Sequence, residues 1–108
     1  MAEQYSKEDE IAILDMINKW VENEVRPIAQ EYDQADKYPH ELVAQMKELG
    51  LFGLSIPEEF GGIGLSMAQE CEVAFELGQT ALAFRSVVGT NIGIGSQGIL
   101  MDGTPEQK

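Results

Sequence analysis

Apolar residues recur every three or four positions in the first part of the chain, which is the spacing of one face of an α-helix. They stand at Ile11, Leu14, Ile17, Val21, Val25 and Ile28. Ser6, with Asp9 three residues later, resembles a capping box and predicts where this first helix begins. Pro27 lacks the backbone N–H that a helix interior needs, so the pattern also predicts a kink or break near Arg26.

Two further amphipathic segments predict a second and a third helix. Pro39 suits the first position of the second helix, and Gly50 suits its C-terminal cap. The apolar face of this second helix is Leu42, Val43, Met46 and Leu49. Ser66 begins the third helix, and Cys71 on its apolar side is predicted to be a small core residue. The apolar face of the third helix is Met67, Cys71, Ala74, Phe75 and Gly78.

The connector between the second and third helices is long, apolar and rich in glycine. Its apolar residues are Leu51, Phe52, Leu54, Ile56, Phe60, Ile63 and Leu65. Loops normally run over the surface, where their backbone groups meet water. We therefore expect this connector to be pressed against the body of the protein, with its glycines allowing close backbone approach or positive φ. We interpret Gly61-Gly62-Ile63-Gly64 as turn chemistry, since no lysine follows it to complete a phosphate cradle.

The segment from Leu77 to Met101 contains no acidic residue and a single charge, Arg85. Small and apolar residues dominate it, so we expect a helix that is buried on several sides. A buried, unpaired cation is costly. Two interpretations of Arg85 follow: it pairs with a carboxylate elsewhere in the fold, or it binds an anion such as a substrate carboxylate through two parallel hydrogen bonds.

The end of the chain has the pattern of one helix stop and one helix start. Gly103 is predicted to end the preceding helix, and Thr104-Pro105-Glu106-Gln107 has an N-cap, an early proline and a glutamine that can reach back. Because the chain stops at Lys108, we expect a truncated protein. The fold class predicted is all-α: a small bundle of about four helices with a long apolar glycine-rich loop, truncated at the start of a further helix.

Length and charge exclude several classes of function. At 108 residues the chain is one domain at most. A formal charge of −12 argues against binding to nucleic acid and disfavours anionic membranes. The acidic N-terminus is not a secretory signal, and no run of 18 apolar residues predicts a membrane span. Cys71 is the only cysteine, so no internal disulfide can form, and a reducing, cytoplasmic compartment fits best.

No pattern in the sequence predicts a catalytic or metal centre. His40 has neither a cysteine nor a second histidine nearby to bind a metal. The stretch from Gly93 to Gly98 matches the dinucleotide fingerprint G-x-G-x-x-G letter for letter. That fingerprint requires a preceding strand and a long following helix. We therefore favour coincidence within a glycine-rich helix.

Two motifs closely resemble those of the acyl-CoA dehydrogenase family. Leu49 to Gly64 fits the family's connector L-G-L-x-G-x-x-x-P-E-E-x-G-G-x-G, and Gly103 to Lys108 fits its G-T-x-E-Q-K ending. Arg26-Pro27-Ile28-Ala29 and Tyr38-Pro39 also stand where family members commonly have similar residues. The resemblance covers nearly the whole chain, in order and at the right spacing.

The resemblance implies that residues 1–108 are the N-terminal helical domain of a flavoprotein that dehydrogenates the α and β carbons of an acyl-CoA thioester. In that family a glutamate takes the α proton, FAD accepts the β hydride, and electrons usually pass to electron-transferring flavoprotein. The glutamate and most FAD contacts belong to a middle and a C-terminal domain that this sequence lacks. We therefore expect no catalytic residue here, and no tight FAD binding or activity by this chain alone. We expect the parent protein to form a homo-oligomer.

The resemblance also implies a role for one helix in walling the acyl pocket. Phe84-Arg85-Ser86 resembles glutaryl-CoA dehydrogenases, in which an arginine at the matching place binds the distal carboxylate of the substrate. Gly89 departs from that pattern, since those enzymes tend to have a serine there. The substrate-binding residues implied are Arg85, Ser86, Gly89 and Thr90.

Two alternatives stay open at this point. The chain could be a stand-alone helical module that kept this domain for protein interaction and lost catalysis. It could also be a small dinucleotide-binding protein, a class that rests only on the glycine fingerprint and would need a fold made mostly of strands. If further domains are missing, apolar surface left exposed where they would dock predicts self-association.

Overall fold

Every regular element of the computed structural model, which describes residues 7–108, is helical. This confirms the all-α prediction, while the predicted capping box of Ser6 lies outside the described residues. Four long helical stretches can be followed along the described chain, as predicted. Their α-helices are α1 Lys7–Trp20, α2 Arg26–Gln34, α3 His40–Glu48, α4 Met67–Gly78, α5 Leu82–Gly89 and α6 Gln97–Asp102. π-helical turns at Val21–Val25 and Thr90–Ser96 join α1 to α2 and α5 to α6, and 3₁₀ turns lie at Leu51–Gly53 and Glu58–Phe60.

The first long helix changes type just before its proline. A proline removes the hydrogen bond to the carbonyl four residues earlier, and its ring crowds that carbonyl. Here the backbone N–H of Arg26 donates to the carbonyl of Val21, five residues earlier, within the π-helical turn. The wider turn absorbs the disturbance from Pro27. The irregularity predicted near Arg26 is therefore present as a π-helical turn, and the helix does not end there.

One hydrophobic core joins the long helices to the connector. Its buried residues are Ile17, Val21, Val25, Ala29, Leu42, Met46, Leu51, Leu54, Leu65, Val73, Leu77, Phe84, Val88 and Ile92. The predicted apolar face of α3 is confirmed, because Leu42 and Met46 are buried and Val43 and Leu49 pack against the core. At the edge of the core, the indole Nε1 of Trp20 donates to Oε1 of Gln45 at 2.7 Å, which ties α1 to α3.

The connector lies against the body of the protein, as predicted. Leu51, Leu54 and Leu65 are buried in the core. Its two halves are held by backbone hydrogen bonds from Ile63 to the Gly53 carbonyl at 2.8 Å and from Leu65 to the Leu54 carbonyl at 2.7 Å. The turn-chemistry interpretation of the glycine run is supported by a close approach: a Cβ added at position 62 would stand 2.0 Å from the Ile56 carbonyl oxygen.

The N-terminus of α4 is as predicted, but its buried face is not. Ser66 and Gln69 form a capping box, with the Ser66 N–H donating to Gln69 Oε1 at 2.7 Å. The buried residues of α4 are Val73 and Leu77, four positions apart on one narrow stripe. Met67 and Phe75 are 61% and 69% exposed, and Cys71 is exposed too. The predicted apolar face of α4 and the core position of Cys71 were therefore wrong, because the stripe that packs on the core is rotated around the helix.

The helix that runs from α5 to α6 is buried on one side rather than on several. Phe84, Val88 and Ile92 enter the core. Leu82 and Ile94 are 78% and 82% exposed, since no other element of the described residues covers them. The prediction of burial on several sides was wrong for residues 7–108 taken by themselves.

Both signals predicted at the end of the chain are present. The N–H of Gly103 donates to the Ile99 carbonyl at 2.8 Å, and Gly103 then leaves the helix in an extended conformation. Thr104 and Gln107 form a reciprocal pair: the Thr104 N–H donates to Gln107 Oε1 at 2.9 Å, and the Gln107 N–H donates to Thr104 Oγ1 at 3.3 Å. This is the capping-box pattern of a helix start.

Candidate functional site

Helix α5 carries the residues that the sequence singled out for substrate binding. It follows α4 after the short link of residues 79–81, and the two helices pack against each other. Phe84 and Val88 anchor α5 in the core. This anchoring leaves Arg85, one position after Phe84, on the flank of the helix.

Arg85 is exposed and carries the only charge of α5. Among the described residues, no carboxylate forms an ion pair with it and no group accepts a hydrogen bond from it. The interpretation in which Arg85 pairs with a carboxylate inside the fold therefore finds no partner within residues 7–108. Within residues 7–108 the N–H donors of the guanidinium are therefore unused.

The guanidinium of Arg85 lies over Gly89, one helical turn further along. A Cβ added at position 89 would stand 2.5 Å from Nη1 and 2.8 Å from Cζ of Arg85. Both distances are below 3.0 Å, which is closer than a Cβ atom approaches other heavy atoms in proteins, so the guanidinium would have to move. The guanidinium can therefore adopt this position only because residue 89 has no side chain.

A small cavity of about 20 Å³ lies where α5, α4 and the connector meet. Its charged lining residues are Arg85 and Glu70. The Oε2 atom of Glu70 is buried and has no hydrogen-bond partner. The apolar residues around this cavity are Leu54, Val73, Ala74, Leu77 and Val88, with Gly89 beside them.

Ser86 and Thr90 line a different surface. They border an open groove of about 780 Å³ on the side of α5 that faces α3, together with Lys47 and Tyr38. The remaining lining residues are Val43, Phe52, Val87 and Asn91. The four residues predicted for substrate binding thus form two pairs on adjoining flanks of α5: Arg85 with Gly89, and Ser86 with Thr90.

Two charged residues that were not predicted from the sequence line these surfaces: Glu70 lines the small cavity and Lys47 lines the open groove. Glu70 was not selected because it lies in an acidic helix where carboxylates are common. Lys47 lies in the last turn of α3, where a cation is ordinary. No signal in the sequence places either of them near α5. Their positions follow from how α3 and α4 pack.

The glycine fingerprint lies inside a helix. Gly93 and Gly95 belong to the π-helical turn Thr90–Ser96, and Gly98 belongs to α6. The tight strand-to-helix turn that a dinucleotide needs is not formed at these glycines. The structure thus places these glycines within a helix, in agreement with that part of the prediction.

Within residues 7–108, no group of three or more histidine, cysteine, aspartate or glutamate side chains is placed to hold a metal ion. In the same range, no helix has the length and apolar character needed to cross a membrane.

Comparison with known proteins gives a consistent family. The profile described as "Acyl-CoA dehydrogenase, N-terminal domain" matches residues 7–108. The chain is similar to a (2S)-methylsuccinyl-CoA dehydrogenase of Cereibacter sphaeroides, with 39% identity over 97 residues, which are 89% of this chain and 18% of that protein. It is 34% identical over 93 residues to an acryloyl-CoA reductase (NADH) of Anaerotignum propionicum, covering 86% of this chain and 23% of the relative.

A third relative is the very long-chain specific acyl-CoA dehydrogenase, mitochondrial, of Rattus norvegicus. It is 40% identical over 76 residues, which are 70% of this chain and 12% of that protein. The chain thus spans less than a quarter of the length of each of these relatives. The family match extends over all described residues, and the chain therefore belongs to the acyl-CoA dehydrogenase family, as its N-terminal domain.

Proposed function

We propose that this chain is the N-terminal domain of an FAD-dependent enzyme that dehydrogenates the α and β carbons of an acyl-CoA thioester. The observation that carries the proposal is the family match over residues 7–108. The connector supports it, because the segment that carries the family's motif is also the segment that packs into the core. The domain's role is to wall the acyl pocket through the helix of residues 82–102.

Under this proposal the chemistry belongs to domains outside residues 1–108. FAD bound there would supply the acceptor for the β hydride, and electron-transferring flavoprotein would then take up the electrons. The chain by itself binds no FAD tightly and has no dehydrogenase activity. The test is the absorption spectrum of the purified 108-residue chain: a stoichiometric flavin spectrum would contradict this statement. We also propose a cytoplasmic, homo-oligomeric parent enzyme.

We propose that Arg85 binds a carboxylate at the far end of the acyl group. Its support is structural: the guanidinium is exposed, has no partner among the described residues and lies in the space left by Gly89. A guanidinium matches a carboxylate through two parallel hydrogen bonds. One relative is named for (2S)-methylsuccinyl-CoA, whose acyl group bears a free carboxylate. The names of the other two relatives, for acryloyl-CoA and very long-chain acyl-CoA, mention no carboxylated acyl group, so the geometry of Arg85 carries the proposal.

The experiment compares glutaryl-CoA with butyryl-CoA as substrates of the complete gene product. We expect Arg85→Gln to lower kcat/KM for glutaryl-CoA by at least about tenfold relative to butyryl-CoA, since a charged hydrogen-bonded pair contributes about 1.5–3 kcal/mol. Arg26→Gln is the matched control, because it removes the same charge from an exposed pair with Glu22. An unchanged ratio in Arg85→Gln would overturn the role of Arg85.

The alternative function is a non-catalytic interaction module derived from this domain. The coding DNA beyond Lys108 separates the two functions. A reading frame that continues into a β-rich domain and a helical domain with a catalytic glutamate supports the enzyme. A stop codon directly after Lys108 in the native gene would contradict it and favour a partner-binding role.

A further inference from the structure

We infer that Glu70 is a specificity-determining residue that acts through Arg85. Its carboxylate partly neutralises the guanidinium and so sets how strongly this enzyme prefers an acyl group that ends in a carboxylate. The inference rests on the proposed role of Arg85 and deepens it. Glu70 itself would touch no substrate.

The first observation is that the two opposite charges share one cavity. Glu70 on α4 and Arg85 on α5 both line the space of about 20 Å³ between these helices. All other residues that line it are apolar or glycine. A space of this size admits about one water molecule between the lining residues, while Arg85 also remains exposed to bulk solvent.

The second observation is that one oxygen of the Glu70 carboxylate has no hydrogen-bond partner. Its Oε2 atom is buried and accepts no hydrogen bond. A buried carboxylate without a partner is costly, and a nearby cation lowers that cost. Among the lining residues, the cation is Arg85. The two groups do not form a direct ion pair, so the inferred effect of Glu70 on Arg85 is one of charge across the cavity.

The third observation is the direction of the Arg85 side chain. The guanidinium runs along α5 toward Gly89, and Gly89 lines the same cavity. The positive charge therefore lies one turn further along α5 than its own Cα. This conformation places the charge of the exposed Arg85 side chain beside the cavity.

Glu70 should weaken the binding of any anionic ligand to Arg85. The negative charge of Glu70 attracts the guanidinium and repels a second carboxylate that approaches it. Replacing Glu70 by glutamine keeps the shape of the side chain and a hydrogen-bond acceptor but removes the charge. The anion site should then bind a distal carboxylate more strongly, and an uncharged acyl group should gain nothing from the change.

The test is the ratio of kcat/KM for glutaryl-CoA to kcat/KM for butyryl-CoA, measured on the complete gene product. We expect Glu70→Gln to raise this ratio about threefold to tenfold at low ionic strength, mainly through KM of glutaryl-CoA. Glu70→Met, a second variant without the charge, should raise it in the same direction. Glu72→Gln is the control, because it removes an exposed carboxylate from the same helix and should leave the ratio as it is.

The double variant distinguishes failure of this inference from failure of the proposed function. With Arg85→Gln in place, Glu70→Gln should no longer change the ratio. If Arg85→Gln alone lowers the ratio but neither Glu70 variant raises it, the inference about Glu70 is overturned and the role of Arg85 stands. The inference is equally overturned if Glu70→Gln raises this ratio as strongly in the Arg85→Gln background as it does in the wild-type enzyme. If Arg85→Gln leaves the ratio unchanged, both proposals are overturned.

Discussion

The guanidinium of Arg85 fills the space that a side chain at Gly89 would occupy. The distance from its Nη1 to a Cβ built at position 89 is 2.5 Å. The two residues are one turn apart on α5, so a side chain added at position 89 must displace the guanidinium. The lack of a side chain at Gly89 therefore determines where the guanidinium lies, and we propose that this guanidinium binds substrate.

Gly89→Ala should displace the Arg85 guanidinium without unfolding the protein. The atoms in conflict are at the far end of a flexible side chain, and alanine favours a helix over glycine by up to about 1 kcal/mol. We expect equal or slightly higher stability in urea unfolding. The preference for glutaryl-CoA over butyryl-CoA should fall severalfold in the complete gene product.

Gly98→Ala is the matched control for this prediction, because a Cβ at position 98 meets no atom within 4 Å. It should give the same helix-propensity effect with no change of substrate preference. A preference that is also unchanged in Gly89→Ala would show that the position of the guanidinium does not matter.

Gly62→Ala should destabilise the connector. A Cβ there would stand 2.0 Å from the Ile56 carbonyl oxygen and 2.5 Å from its carbon, and backbone cannot move aside as a side chain can. Overpacking of this kind costs about 1–3 kcal/mol. Gly78→Ala, where a Cβ meets nothing within 4 Å, is the control and should cost little. Chemical denaturation of both variants checks the difference, and equal midpoints would count against the close approach.

Leu77→Ala and Leu82→Ala should differ widely in stability although they delete the same atoms. Leu77 is fully buried, whereas Leu82 is 78% exposed. A buried leucine-to-alanine change costs about 2–5 kcal/mol, and an exposed one typically stays within about 0.5 kcal/mol. The free energy of unfolding of each variant tests this, and similar losses would mean that α5 is buried on its outer side as well.

The chain of 108 residues should self-associate when it is studied by itself. Leu82, Ile94 and Met101 are 78%, 82% and 74% exposed on the helix of residues 82–102. Exposed apolar surface of this kind promotes association. Sedimentation should show oligomers at high concentration, and the double change Leu82→Gln with Ile94→Gln should reduce them. A strictly monomeric wild-type chain would contradict this expectation.

Local signals in the sequence predicted the helices and their ends well. The proline at 27, the caps at Ser66 and Thr104 and the stop at Gly103 all act within one or two helical turns. Such signals depend on hydrogen bonds between near neighbours in the chain. They can therefore be recognised without knowing the tertiary fold.

The orientation of the helix faces was predicted less well, for a physical reason. In α4 both sides carry apolar residues, so periodicity alone could not choose Val73 and Leu77 over Met67 and Phe75. The choice is made by the neighbouring helices and connector. The same holds for the cavity that joins Glu70 to Arg85, since residues far apart in the sequence meet there only through packing.

We propose that this domain belongs to a working flavoenzyme that acts on acyl-CoA. The most direct measurement is the visible absorption of the purified complete gene product under anaerobic conditions, before and after an acyl-CoA substrate is added. We predict a flavin spectrum that is bleached by the substrate, because the β hydride passes to FAD. A complete gene product with no flavin, or with a flavin that no acyl-CoA reduces, would contradict the claim.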